Sequence, residues 1–343
     1  MARDLTLSKI ESDFILKSLA SRLRFDNRKF SQHRSLTVSF TAAGDDYGVA
    51  DVRLGNTRVI ARISAEITQP YDDRPYEGLF LISTEISPMA APSVDPSASS
   101  GSGNSTSISG KTEQELVISR VIEKSIRRAG ALDTESLCII AGEKCWAVRA
   151  DVNFLDHDGG LVDAGTIAVI AGLLHFRRPE VTIEGIGSQR RVIAHPVTER
   201  VPVPLSVLHV PICTTVSFFD LTKAAAITID ANTDNNKGTN ADQNGEDGNQ
   251  NYAVLLDATL QEEQLRHGFM CVTANTNREI CQIYKSGLLP VDATILLNCT
   301  ETAITIAERF TTVIKNALKE DEQARNTGNS LVEARAENDR QMA

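Results

Sequence analysis

The chain of 343 residues is short of several things at once. It has no apolar run of 18 or more residues, so no membrane-spanning helix is expected. Its first residues, MARDLTLSKIESDF, lack the apolar stretch of a secretory signal. Aromatic residues make up only 5%, with a single tryptophan, Trp146, inside an apolar stretch where a core position is expected. Six cysteines are present (Cys138, Cys145, Cys213, Cys271, Cys281 and Cys299) but no CxxC pair, so reduced and mostly buried thiols are expected, not zinc ligands or disulfides. These absences together point to the cytoplasm or nucleus. There is also no GxxxxGK[ST] phosphate loop, no GxGxxG between a strand and a helix, and no spacing that suggests a Ser-His-Asp arrangement. The isolated His33, His175, His195, His209 and His267 show no ligand spacing. Positive charge is in deficit: the formal net charge is −10. An independent nucleic-acid binder usually carries a basic balance, so any contact of that kind must use a local basic stripe.

What is present is ordinary globular composition, 41% hydrophobic and 23% charged, at a length that suits two packed subdomains. Residues 8–23 read as an amphipathic helix opened by a Ser8/Glu11 capping box. Alternating segments follow, with Gly55-Asn56 as a tight hairpin turn and a further strand over 78–86. The Ser/Gly-rich stretch 92–110 reads as a flexible insertion. A helix is expected over 112–129, with Thr112 and Glu115 at capping-box spacing and Gly130 as its stop. Strands are then expected at 136–141 and 145–155, and a small-residue helix over 164–174. A second module begins near Val201, with strands at 205–219, 224–229, 252–257, 268–274 and 279–284, and a helix over 300–319. The Asn/Asp/Gly-rich segment 231–250 reads as a disordered insertion. The reading is α+β: subdomain one over 1–195, subdomain two over 196–320, and a polar tail over 321–343.

Three places could carry chemistry. On the 112–129 helix, Arg120, Lys124 and Arg127 recur at i, i+4 and i+7, with Arg128 beside them, while Ile118, Val121, Ile122 and Ile126 face the other way. Such a row suits a phosphate backbone, and it suits equally a solvated helix face with cations near the negative helix end. The segment Asp156-His-Asp-Gly-Gly-Leu-Val-Asp-Ala164 gathers Asp156, Asp158 and Asp163 around a Gly-Gly pair. A calcium loop needs more ligands at fixed positions, so a strand-to-helix turn, with His157 as a hydrogen-bonded turn histidine, is the stronger reading. Third, Asp257, Glu262 and Glu263 follow a strand. Paired carboxylates there could bind Mg²⁺ or move protons, or form an ordinary solvated acid cluster.

In that order these segments resemble a known family. Leu132-Asp-Thr-Glu-Ser-Leu-Cys-Ile-Ile-Ala-Gly-Glu-Lys144 and Asp151-Val-Asn-Phe-Leu-Asp-His-Asp-Gly-Gly160 are similar to the non-catalytic RNase PH-like ring subunits of the eukaryotic RNA exosome. Arg24-Phe-Asp-Asn-Arg28 (the family's R-x-D-G-R with Asn for Gly), Leu54-Gly-Asn-Thr57, Ser87-Pro-Met-Ala-Ala-Pro92 and His175-Phe-Arg-Arg-Pro179 add to it, so the resemblance covers about residues 5–320 apart from the two insertions. It implies an RNase PH-like fold of two β-sheet and helix subdomains. Active relatives cleave RNA from its 3′ end with phosphate and carry D-G-G-[ST]-R at the turn, where the arginine holds phosphate. Here Leu161-Val162 replaces the Ser/Thr-Arg pair after Asp158-Gly159-Gly160, and aliphatic groups cannot orient an anion. Asp257 is kept, and Glu263 stands at the second acidic position.

The resemblance therefore implies a non-enzymatic chain with vestigial positions Asp158, Asp257 and Glu263, no metal and no cofactor. It implies that Arg120, Lys124 and Arg127 line a path for single-stranded RNA. The implied partners are a paired RNase PH-like subunit, other ring subunits, cap proteins with OB-type RNA-binding modules and an associated catalytic ribonuclease. The implied locations are the nucleus, nucleolus and cytoplasm. An active phosphate-dependent 3′-to-5′ exoribonuclease is the alternative.

Overall fold

The computed structural model describes residues 7–40, 47–90, 113–185, 190–196, 199–221 and 252–326. Strand 224–229, both insertions and Thr112 lie outside the described residues.

Helix α1 (Lys9–Ala20) starts at the expected capping box: Ser8 Oγ accepts from the Glu11 N–H, and Glu11 accepts from the Ser8 N–H. Strands β1 (Leu36–Phe40), β2 (Val49–Leu54), β3 (Thr57–Thr68), β4 (Leu79–Ile86), β5 (Cys138–Ile140) and β6 (Lys144–Asp156) form one sheet in the order β1-β2-β3-β6-β4, with β5 on β6. The Gly55-Asn56 turn joins β2 to β3, and β4 runs parallel to β6. Trp146 is a core residue, as expected.

Helix α2 (Glu113–Glu123) buries Ile118, Val121 and Ile122. The Glu115 carboxylate accepts the Ile86 N–H at 2.8 Å, tying α2 to the end of β4. Helix α3 (Leu161–His175) begins three residues before the expected start. It is apolar on every side and therefore sits inside the molecule, packed on β2, β3 and β11 (Ile212–Asp220) of the second sheet. Its small residues make that approach possible. A Cβ at Gly165 would meet Ile122 Cδ1 at 2.7 Å, and one at Gly172 would meet Ile63 Cγ1 at 3.0 Å.

Short pairs β7 (Arg177–Arg178) with β10 (Val203–Pro204) and β8 (Val181–Glu184) with β9 (Arg191–Ala194) lead to the second sheet. That sheet is antiparallel, in the order β12-β11-β13-β14, from β12 (Tyr252–Leu256), β13 (Gly268–Ala274) and β14 (Ile280–Gly287). β11 starts at Ile212, not at Leu205, because Pro204 and Pro211 keep the preceding segment off the ladder. After the short α4 (Leu260–Leu265), the 34-residue α5 (Ala293–Asn326) closes the fold. It extends the expected 300–319 helix at both ends and reaches six residues into what reads as a tail. His175 explains the extension: its Nδ1 accepts the Gly48 N–H at 3.0 Å, so its Nε2 carries the proton and donates to Asp321 at 3.1 Å. Arg325 then pairs with Asp321 at 2.7 Å and lies over the Tyr47 ring. No helix among the described residues is long and apolar enough to cross a membrane.

Candidate functional site

The Asp156–Ala164 turn and the Asp257–Glu263 segment meet, brought together by α3 lying between the two sheets. What joins them is a cation from a third segment, Arg34, which sequence reasoning did not single out. Its backbone N–H and Nε each donate to Asp257 Oδ2 at 2.9 Å, and Nη2 donates to Oδ1 at 2.7 Å. Nη1 reaches the Asp158 carbonyl at 2.7 Å and Thr57 Oγ1 at 3.4 Å, and Nη2 also reaches the Gly159 carbonyl at 3.1 Å. All five guanidinium N–H groups are thereby used. The side chain threads between glycines: a Cβ at Gly55 would lie 2.6 Å from Arg34 Cδ, and one at Gly160 would lie 2.8 Å from Nη2. Gly159 and Gly160 both have positive φ, as the turn reading requires.

Two more arginines complete the cluster. Arg24 holds Glu262 bidentately at 3.1 and 2.7 Å and the Leu256 and Asp257 carbonyls at 3.1 and 3.0 Å. Arg28 reaches Asp257 Oδ2 and its carbonyl, each at 3.2 Å. Glu262 is thus buried and paired, which corrects the reading of this segment as a solvated acid cluster: its capping-box contact to the Thr259 N–H turns it inward onto Arg24. Asp257, at φ 49°, is wholly buried. Burial alone would raise its pKa, yet the Arg34 hydrogen bonds with the His33 and Arg34 charges bring it down to about 2. Such a carboxylate is neither a proton donor nor a useful base near neutrality.

The three aspartates of the turn do not converge. Asp156 is exposed, Asp158 accepts from Asn56 at 3.1 Å, and Asp163 turns into the core, where the Thr215 N–H and Oγ1 donate to it at 2.8 and 2.7 Å. His157 is a turn histidine, its Nδ1 accepting from the Gly159 N–H at 3.2 Å. His33, Asp163 and Asp257 place ligand atoms within 4.8 Å of one another. Asp257 is already held by arginines and Asp163 by Thr215, and His33 Nδ1 lies 3.3 Å from Asp257. Glu263 accepts from the Gly160 N–H and from Arg266, both at 3.2 Å, and burial raises its pKa.

On the α2 face, Arg120, Lys124, Arg127 and Arg128 are all exposed. The backbone widens into a π turn over Lys124–Arg128. A wider turn rotates each residue less about the axis, which brings Arg128 toward the line of Arg120 and Lys124. Arg127 bends back to Glu123 at 2.9 Å. A spacing rule for an ideal helix could not foresee this.

Comparison with known proteins places this geometry. A model of the 3′ exoribonuclease family, domain 1, matches residues 32–179, and one of domain 2 matches residues 209–306. The chain belongs to the RNase PH family of 3′ exoribonuclease domains. Within it, the chain is 48% identical over 326 residues to the exosome complex component RRP45 of Saccharomyces cerevisiae, covering 95% of each. It is 46% identical over 340 residues to rrp45 of Schizosaccharomyces pombe, covering 99% of this chain and 100% of that one. RRP45 is the polymyositis/scleroderma-autoantigen subunit. A solved Archaeoglobus fulgidus exosome with RNA bound to the active site shares the fold at 23% identity, with a TM-score of 0.65 over 88% of this chain and 97% of that chain. Leu161, after the Gly159-Gly160 turn, is buried, and Val162 packs on the same core.

Arg24 and Arg28 lie in the quoted Arg24–Arg28 motif. For Arg34 the one signal is crowding, since Arg22, Arg24, Arg28, Lys29, His33 and Arg34 fall within 13 positions of an acidic chain, and a buried acid group elsewhere is their natural complement.

Proposed function

We propose that this chain is a non-catalytic RNase PH-like subunit of an exosome ring. It scaffolds the complex and guides single-stranded RNA through the channel for 3′-to-5′ decay and processing of rRNA, mRNA and other RNAs. Its identity to RRP45 exosome components supports the assembly. The observation that carries the non-catalytic reading is Arg34 on Asp257. The acid that resembles a catalytic one is locked into an ion pair, and Leu161-Val162 offer no donor to phosphate.

On this reading the chain pairs with an RNase PH-like neighbour beneath cap proteins with OB-type RNA-binding modules. An associated ribonuclease does the cutting, and the complex works in the nucleus, nucleolus and cytoplasm. Arg120, Lys124 and Arg127, with Arg128, form a stretch of the RNA path, reading backbone phosphates without sequence preference. An acidic chain can serve because a narrow channel needs cations only on its wall.

The test is phosphate-dependent shortening of 3′-labelled single-stranded RNA. The purified chain is expected to release no nucleoside diphosphate. Release that is lost on Asp257→Asn would establish the alternative, an active phosphorolytic exoribonuclease.

A further inference from the structure

Two of the six thiols face each other across a ladder. Strands β5 and β6 are antiparallel, and Cys138 stands directly opposite Cys145 in their register. Cβ atoms of directly opposed residues lie about 4.5–5.5 Å apart, and a disulfide needs about 3.5–4.5 Å, so a movement of about 1 Å suffices. The register shift between Cys138 and Ile140 lets β5 make that movement without breaking a long ladder. Cys138 is partly exposed and Cys145 is fully buried. The other adjacent pair, Cys213 and Cys271 on β11 and β13, is buried at both members and shielded from any oxidant.

We propose that Cys138 and Cys145 form a peroxide-sensitive dithiol that closes into a cross-strand disulfide, clasping the β5–β6 hairpin. The Cys138 thiolate attacks a hydroperoxide; an S–O bond forms, the O–O bond breaks, and the alcohol or water leaves with a proton. Cys145 then attacks the sulfenic sulfur; the S–S bond forms, the S–O bond breaks, and water leaves. The two sulfurs lose two electrons, and the peroxide gains them. The order of events follows from access, since only Cys138 meets solvent, and burial raises the pKa of Cys145 and keeps it a thiol until its partner is activated.

Lys144 makes the test direct, because trypsin cleaves after it and separates the two cysteines. The full chain, alone and in its assembled ring, is treated with hydrogen peroxide, alkylated while denatured, and digested without reductant. The expected product is peptide 129–144 joined to peptide 145–149, lighter than their sum by the two hydrogens lost. Cys138→Ser should leave Cys145 fully alkylated. Cys145→Ser should stop at a Cys138 sulfenic acid that a dimedone probe captures. Cys138 going to sulfinic acid beside an alkylated Cys145, a link from Cys138 to another cysteine, or both thiols intact at peroxide levels that oxidise a reactive control thiol would each overturn the proposal.

Discussion

Arg34 Nε and Nη2 hold the two carboxylate oxygens of Asp257 at 2.9 and 2.7 Å, and the same guanidinium grips the carbonyls of Asp158 and Gly159. One cation thus fastens the segment just before β1, the turn before α3 and the residue after β12. What resembles catalytic acids in sequence is, in space, the fastening of the two subdomains.

Arg34→Met should be among the most damaging single changes, because it leaves Asp257 charged, buried and short of its main partner. A loss of about 3–5 kcal/mol is expected from breaking a buried pair at one end. Urea unfolding of the full chain checks it. Arg34→Lys should recover only a minor part, since an ammonium cannot grip both oxygens and two carbonyls at once; full recovery would show that charge alone matters.

Acid should expose the same pair. Asp257 titrates near 2 in the folded chain against an ordinary value of 3.8. A depressed carboxylate contributes stability above its unfolded value and loses it as the pH falls from about 4 through 2. The amount is of order 2 kcal/mol. Stability measured over that window in the wild type and in Asp257→Asn should converge as the pH falls.

His175 gives a second, milder window. Burial, helped by Arg325 and Arg177, outweighs the pull of Asp321 and lowers it from 6.5 to about 4. The native ring is neutral, and the unfolded chain binds the extra proton between those values. Stability should therefore fall on acidification from pH 6.5 towards 4, by roughly 3 kcal/mol at most. His175→Gln should flatten that slope, and the loss should loosen the last turns of α5 first, seen as faster hydrogen exchange around Asp321.

On the proposed function, giving the turn the residues of active relatives should not by itself restore chemistry. Leu161→Thr with Val162→Arg supplies a phosphate-binding guanidinium, yet Asp257 stays paired with Arg34. RNA shortening in phosphate should stay at background in the double variant. Its stability should fall by about 1–3 kcal/mol, because Leu161 leaves the core. Measurable phosphorolysis would show that the arginine was the sole missing part.

Reversing Arg120, Lys124 and Arg127 to Glu should weaken RNA retention by the assembled ring without blocking assembly. The slope of log affinity against log salt should become shallower by about 2 if three phosphate contacts are lost. Because the π turn brings Arg128 toward the row, adding Arg128→Glu should deepen the loss. Unchanged retention at low and high salt would remove this helix from the path.

Much of this was legible locally. The Ser8/Glu11 box, the Gly55-Asn56 hairpin, the Ile118–Ile126 core face and the Gly159-Gly160 turn each depend on residues a few positions apart, where backbone sterics and short hydrogen bonds decide. The π turn over Lys124–Arg128 could not be read, because a single turn of altered backbone geometry leaves no mark in residue spacing. Asp257 and Glu263 were singled out without their partners. Arg34 looks, in sequence, like one more cation before a strand.

The sequence by itself determined the elements, the two-part organisation and the family, since periodicity, capping and turn chemistry are short-range and family motifs are linear. Only the tertiary structure decided the state of the acids. Arg34 and Asp257 are 223 positions apart and meet because α3, apolar on all sides, can be satisfied only between two sheets. Once that helix is buried, the turn before it and the acid after β12 are pressed together out of water, and a buried carboxylate there must find a cation.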